Sequence, residues 1–287
     1  MKKTDKIVAG LQGVPETMLL TLFARANYSR MYGKVFYDAK SVEIADRLDY
    51  DFSHAAGDED LGLVTLSRTL VLDSLVKKFV EQNPDGVVVN IASGLDTRFF
   101  RVDNGSILWY DVDLPETMAV RKKFFADTER MKGIAASAMS SDWAKAVKVR
   151  GRKTLVIIEG LSMYLGDSAV RQIFSIVHEC FGSAEVLMEI MPERHVTRNS
   201  YSSIKTTSAK FSWGIDSGSM LGIEGFSWKA DHSVVGAMRK VKPSTMLWSW
   251  LPGVRRNSEK IAVFHRDADI VKFPSPAAAV CNERLVC

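Results

Sequence analysis

The chain has 287 residues, 46% of them hydrophobic and 25% charged, with a net charge of +4; this is the balance of a soluble globular protein with material for a sizeable core. Its basic clusters, "VRGRK" at 149–153 and "GVRR" at 253–256, are short and lack interleaved aromatics, which argues against a nucleic-acid face. No apolar run approaches the ~20 residues of a membrane span, and Pro15 and Glu16 before the short "MLLTLFA" make a poor signal peptide.

Three cysteines, Cys180, Cys281 and Cys287, fit neither a disulfide framework nor zinc-ligand spacing. A cytoplasmic protein with reduced thiols is expected. From Glu16 to Val80 the pattern is helical. "PETMLLTLFARANYSRM" sets Pro15 at a helix start, and "LVTLSRTLVLDSLVKKFV" places Leu63, Leu66, Leu70, Leu75 and Phe79 near one face. Turn chemistry in "NPDG" at 83–86 ends that helix.

"VVVNIA" from Val87 is apolar throughout and rich in β-branched residues, as expected of a strand buried on both faces of a parallel sheet. A second strand is predicted over 106–113, "SILWYDVD", then a helix over "PETMAVRKKFFADTERM" with Pro115 in its first turn. A third strand over 153–159, a helix over "GDSAVRQIFSIVHECFG" and a fourth strand over 184–191 complete the alternation. That order implies an α/β fold with a doubly wound, mostly parallel sheet.

From 194 to 228 the chain is polar and Gly/Ser-rich, with Tyr201, Phe211, Trp213, Phe226 and Trp228 as candidate walls of a substrate pocket; this is the composition of a lid. "TMLWSWL" at 245–251 and "KIAVFHRDADIV" at 260–271 read as final strands, an antiparallel pair, and the tail from Pro274 as poorly ordered. The expected organisation is one integrated domain. It comprises an N-terminal helical cap (1–82), a cofactor-binding α/β core (83–192), a lid or substrate insertion (193–240), and final core strands with the tail (241–287).

Ligands of such sheets lie beyond the carboxyl ends of the strands, where the strand order reverses. Three predicted strands end unusually. The first runs into "ASGLDTR", where Gly94 permits close backbone approach. The second ends at Asp113, placed to accept hydrogen bonds from ribose hydroxyls, and the third at Glu159. Singly, each has a structural reading: Gly94 as a turn, Asp113 as a helix cap, Glu159 as the ion-pair partner of Arg98 or Arg68. Together in one crevice they favour a ligand. A dinucleotide needs G-x-G-x-x-G, which is absent, so an NAD-type oxidoreductase is disfavoured. A phosphate-free nucleoside with a positive centre, S-adenosylmethionine, fits.

The run "NIASGLDTRFFR … YDVDLPETMAVRKK … IIEGLSMYL", with "SVEIADRLDYDFS" (41–53), "SSDW" (140–143) and "FSWGID" (211–216), resembles the leucine carboxyl methyltransferase family over about residues 15 to 270. The likeness is to its bacterial, polyketide-type O-methyltransferase branch. It implies a Rossmann-like class I methyltransferase sheet, S-adenosyl-L-methionine as cofactor, and a small-molecule acceptor bearing a carboxylate or phenolic oxygen. It also implies roles for residues. Arg68 would contact the methionine carboxylate, Lys40 would be the N-terminal basic contact, and Gly94 would floor the site. Asp113 would hold the ribose, with Asp111 as its alternative and only one of the two pointing cleanly into the crevice. Glu159 would lie near the methionine amino group or the transfer centre. Ser137 and Ala138 stand where many members carry Asp-Leu against the adenine.

On the acceptor side, Tyr164 in "GLSMYL" and His195 at the start of the lid are the catalytic candidates. A carboxylate nucleophile needs no base at neutral pH, whereas a phenol, with a pKa near 10, benefits from one. Arg98 holds either an acidic substrate group or, as a structural pair, an acid of the crevice. His54, His178, His232 and His265 show no metal-type partners in sequence, so no metal site is expected. The alternative to an enzyme is a scaffold that keeps the fold, supported only by the altered "AASAMSS" segment. No pattern specifies an oligomeric state.

Overall fold

The computed structural model describes residues 6–198, 207 and 209–266. Its sheet is built from Val87–Ile91 (β1), Leu108–Asp113 (β2), Met131–Ala135 (β3), Thr154–Ile158 (β4), Ala184–Ile190 (β5), Ser227–Ser233 (β6) and Lys260–Arg266 (β7). The spatial order is β3-β2-β1-β4-β5-β7-β6. Strands β1 to β5 are parallel, and β7 runs antiparallel between β5 and β6. Chain order reverses between β1 and β4, so a crevice opens at their carboxyl ends.

Burial follows the apolar runs. Every residue of β1 and β4 is buried, as strands covered on both faces must be. Alternation then sorts one strand between two cores: Val88 joins the cluster on one face, and Val87, Val89 and Ile91 join the other. The helices that precede the sheet are Thr17–Tyr32 (α1), Ala39–Arg47 (α2) and Glu59–Gln82 (α3). Pro115–Arg121 (α4), Asp167–Cys180 (α5), Val235–Val241 (α6) and Pro252–Arg256 (α7) follow. Helix α5 buries Val170, Ile173, Phe174 and Val177 as its periodicity predicts.

Helix α3 departs from its expected face. Leu72 and Val76 are its deepest apolar positions, and Leu63, Leu70 and Leu75 are only partly buried. The helix is packed on two sides, with Leu63 and Leu70 against the separate cluster of Phe36, Leu66 and Val241. A single stripe therefore understates it.

Three other expectations fail. The helix predicted through "PETMAVRKKFFADTERM" stops at Arg121, and Met131 opens β3. This strand is short, polar at Lys132 and carries Gly133 at its centre, tolerable because it is the sheet edge. A Cβ at Gly133 would stand 2.7 Å from the Met118 sulfur, so glycine lets α4 seat on the edge. Second, 245–251 is not a strand: Met246–Ser249 is helical, bracketed by Pro243 and Pro252. Third, β7 pairs antiparallel with β5 and with β6, and β6 lies inside the segment read as a lid. Mostly exposed residues and an irregular register between Trp228 and Ala230 disguise it. Tyr201, Cys281, Cys287 and the tail lie outside the described residues. Cys180 is a free thiol, and no described helix is long and apolar enough to cross a membrane.

Asp38 ties the helical cap to the sheet. It is 1% exposed, caps α2 through Ser41 N at 2.9 Å, and accepts from Thr97 Oγ1 at 2.5 Å and Arg101 Nη1 at 2.7 Å. Burial alone would raise its pKa, but Arg101 and Arg25 outweigh burial and lower it. A lowered carboxylate stabilises the fold above the ordinary carboxylate range and loses that contribution as pH falls through its own value. Asp38→Ala should therefore lower the unfolding free energy at pH 7 by about 3–5 kcal/mol in urea titrations. A loss under about 1 kcal/mol, the size of an exposed pair, would contradict this anchoring.

Candidate active site

The crevice encloses a cavity of about 260 Å3, lined by the ends of β1, β2 and β4 and by the first turns of α1. Six of the residues singled out in the sequence line it: Arg68, Gly94, Asp113, Ser137, Ala138 and Glu159. At its floor the chain leaves β1 through a sharp turn, with φ of 54° at Ala92 and 48° at Gly94. Glycine suits the second position twice over: the left-handed conformation favours it, and a Cβ there would meet Met18 Cβ at 2.9 Å. The turn is pinned from below by Arg121, which donates to the carbonyls of Gly94 and Asp96 at 2.9 and 3.0 Å.

Asp113 accepts from Gly94 N and Leu114 N, each at 2.7 Å, so the end of β2 is bonded to the β1 turn. Burial pushes its pKa up, and those amide donors oppose the rise. Asp111 does not compete for the cavity. It lies beneath the site, paired with Arg121 at 2.5 Å and accepting from Trp109 Nε1 at 3.0 Å. Residues two apart on a strand share a face, so depth and not alternation sets the two acids apart, Asp113 lining the cavity and Asp111 buried beneath it.

A lattice of buried charge forms the far wall. Glu159 accepts from Arg68 Nε at 2.7 Å and from Arg98 Nη2 at 2.8 Å. Arg68 also donates to Glu189 at 2.8 Å, whose other oxygen accepts from Gly160 N at 2.7 Å. Arg98 reaches Asp73 at 2.8 Å and Asp96 at 2.5 Å. Burial would raise the Glu159 pKa, but Arg98 and Arg68 outweigh it and hold the value below its usual range. Asp96 is lowered in the same way, chiefly by Arg98 against burial. Arg98 is 1% exposed, each of its three nitrogens donates to a carboxylate, and it does not line the cavity, so its role is that of a structural pair.

Lys40 does not line the cavity. Its Nζ pairs with Glu43 at 2.8 Å and lies 5.8 and 5.6 Å from the Phe100 and Phe125 ring centroids, away from the cavity lining. The cation that α1 contributes is Arg25, buried against the cavity and donating to Leu95 O at 3.1 Å. Sequence reasoning missed it, though a signal existed: Leu22, Arg25, Ala26 and Ser29 form one buried stripe of α1, an unusual place for a charge unless it is paired, as Arg25 is with Asp38 at 3.6 Å. Asn90 and Asp96, also cavity-lining, were missed as well.

The wall from Ala136 to Met139 is largely apolar. Ser137 Oγ accepts from Met139 N at 3.2 Å, and Ala138 O accepts from Trp143 Nε1 at 3.2 Å. Tyr164 lines a smaller chamber of about 50 Å3 next door, its ring 5.3 Å from that of Phe211. Burial pushes the Tyr164 hydroxyl up to about 12, so it stays protonated at neutral pH. His195 faces neither space; it lines a third cavity with Val254 and Met238. Trp213 and Phe226 pack against the core, and Trp228 donates to Asp231 at 3.0 Å on the edge strand. His178 accepts from Arg266 at 3.0 Å and His265 pairs with Glu185 at 3.0 Å. No group of three metal-ligand residues occurs among the described residues.

Comparison with known proteins places these features in company. The family model described as leucine carboxyl methyltransferase matches residues 22–178. The tetracenomycin polyketide synthesis O-methyltransferase TcmP of Streptomyces glaucescens is 35% identical over 208 residues, 71% of this chain and 76% of that protein. The S-adenosyl-L-methionine-dependent methyltransferase dpfgK of Gibberella zeae is 29% identical over 201 residues, 65% of this chain and 67% of its own. A solved DUF574 family protein from Streptomyces avermitilis has a TM-score of 0.56 at 14% identity, covering 85% of this chain and 97% of that one; this is a likeness of fold.

The charge lattice makes a measurable prediction. Arg98→Met leaves Asp73, Asp96 and Glu159 short of their shared partner, and should cost about 3–5 kcal/mol of stability at pH 7. Asp96 and Glu159, held low in the folded chain, stabilise it above the ordinary carboxylate range near about pH 4 and lose that contribution as pH falls further. The variant should therefore also begin acid unfolding at higher pH than the parent, followed by circular dichroism. Coincident acid transitions would mean that the carboxylates do not depend on Arg98.

Proposed function

Because the chain belongs to the leucine carboxyl methyltransferase family, we propose that it uses S-adenosyl-L-methionine to methylate a carboxylate or phenolic oxygen of a small, polyketide-like metabolite. The observation that carries this reading is the convergence of Arg68, Gly94, Asp113 and Glu159 on one cavity at the topological switch point. No phosphate cradle accompanies them.

The donor set suits the cofactor. A zwitterionic amino-acid end asks for cations beside anions, and the cavity offers Arg25 and Arg68 with Glu159 and Asp96. Asp113, fixed by two amides, would accept from ribose hydroxyls, and Gly94 would let the sugar approach the backbone. The apolar stretch Ala136–Met139 would face the adenine, with Ser137 as its polar neighbour. When bound, the cofactor supplies a methyl group activated on a sulfonium.

The chain's own contribution is position and exclusion of water. Thr17, Arg68 and Gly160 line both the cofactor cavity and the Tyr164 chamber, so an acceptor oxygen in the chamber adjoins the methyl-donor space. Tyr164, protonated, would donate to that oxygen and orient it; it is no general base. His195 lies in the outer cavity and is better read as an entrance residue than as a catalytic one. A carboxylate acceptor arrives ionised and needs only orientation.

Titration calorimetry with S-adenosyl-L-methionine tests the assignment. Removing a charged hydrogen-bond partner is worth about 1.5–3 kcal/mol, so Asp113→Ala should weaken binding about 10- to 100-fold, while Lys40→Ala stays within about twofold. Since burial raises the Asp113 pKa, parental affinity should begin to fall, as pH is lowered, already above the ordinary carboxylate range. Equal losses in the two variants, or none at Asp113, would move the site elsewhere.

A further inference from the structure

A cavity of about 780 Å3 lies between α3, α6, α7 and residues of β6 and β7. It shares no lining residue with the cofactor cavity, the Tyr164 chamber or the space beside His195. Its walls gather six cations: Lys78 from α3, Arg239 and Lys240 from α6, Arg255 and Arg256 from α7, and Lys260 from β7. The one lining carboxylate, Asp231, accepts from Ser217 Oγ at 2.6 Å, Trp228 Nε1 at 3.0 Å and Gly218 N at 3.2 Å. Among the described residues none of the six cations forms an ion pair. Like charges gathered in this way repel one another. His232 on the same wall registers the field: burial lowers its pKa, and Lys78 lowers it further.

Several of these cations are held in place. Arg255 donates from Nε to Ser249 O at 3.1 Å, and its Nη2 would stand 3.2 Å from a Cβ at Gly236, so glycine lets the guanidinium lie against α6. Arg239 and Lys240 follow Gly236 at three and four residues, on the same helix face, and the Arg239 guanidinium carbon lies 5.2 Å from the Trp250 ring centroid. Lys260 is 7% exposed and spends two of its three donors on Asp216 O at 2.6 Å and Arg256 O at 2.8 Å. Leu70, Leu75 and Ala237 give the cavity an apolar side. We propose that this cavity is a second ligand site, for an organic diphosphate whose linked phosphates are held by Arg239, Lys240, Arg255 and Arg256 and whose organic group lies toward Leu70 and Leu75. Guanidinium forks match phosphate oxygens, and two linked phosphates answer several cations at once. The volume falls within the roughly 300–1,000 Å3 of small-molecule sites. A soluble ester and a lipid headgroup carry the same phosphate chemistry, and experiment separates the two sources. The inference does not depend on the methyltransferase reading.

Calorimetric titration with inorganic pyrophosphate, at constant ionic strength, reads the anionic head alone. It should bind at least about tenfold more tightly than orthophosphate. Arg239→Gln and Arg255→Gln should each weaken it about tenfold or more, the worth of a charged hydrogen bond. Lys122→Gln, at an exposed lysine just after α4, should leave it within about twofold. Isopentenyl diphosphate, which adds a short apolar group, should bind at least as tightly as pyrophosphate. An unchanged melting curve by circular dichroism certifies that a variant is folded, and if one arginine variant fails this the other decides. Pyrophosphate that binds no better than orthophosphate, or that weakens equally in Lys122→Gln, overturns the proposal, as does rejection of isopentenyl diphosphate. Cosedimentation with phosphatidylglycerol vesicles separates the sources. No retention on vesicles, with pyrophosphate bound, supports a soluble ester, and retention that pyrophosphate displaces supports a lipid headgroup in the same site. Retention without any binding of pyrophosphate would assign the cations to a membrane surface and overturn the diphosphate site.

Discussion

The bridge from Arg68 through Glu159 to Arg98 is the constraint on which the rest of the site depends. Glu159 closes β4, Arg98 follows β1 and Arg68 belongs to α3, so one carboxylate fixes three elements at the point where the sheet reverses. Burying such charges is expensive, and only short, multiply bonded geometry offsets the loss of water. Here every member has several partners. Arg98 spans Asp73, Asp96 and Glu159, and Arg68 spans Glu159 and Glu189. The same bonds that set the shape of the cavity keep Glu159 and Asp96 ionised, so architecture and charge pattern come from one set of contacts.

The N-terminal helices extend that frame over the cavity. Helix α1 brings Met18 against Gly94 and Arg25 against Leu95 O, and α2 is fastened by Asp38 to Thr97, in the loop that carries Asp96 and Arg98, and to Arg101 in the short helix that follows it. The cap is therefore bonded to the floor it covers. A ligand beneath it meets a space that is apolar toward Ala136–Met139 and ionic toward Glu159, which suits a molecule with a nucleoside at one end and a charged amino acid at the other.

Much of this was legible in the sequence, for identifiable reasons. Strands β1, β2, β4 and β5 are dense apolar runs bounded by turns, and their acidic or glycine ends announce the crevice. Strands β3 and β6 were hidden because edge strands need little apolar material; Lys132 and Gly133 in one, and exposed residues with an irregular register in the other, read as helix end and loop. The error over 245–251 has the same root, since alternating aromatics between two prolines look like a strand whatever the neighbouring chain offers. Arg68, Gly94, Asp113 and Glu159, whose places follow from the backbone, line the one cavity. Lys40 does not: spacing places a lysine near a cavity, but whether it turns to Glu43 or to the cavity depends on packing. Arg25, Asn90 and Asp96 needed the fold to bring them in.

The most direct test of the account is a crystal structure of the chain with S-adenosyl-L-homocysteine. The account predicts ribose density beside Gly94 and Asp113, with the amino-acid end toward Glu159 and the two arginines. Density in any other cavity, or a ribose with no contact to Asp113, would contradict it.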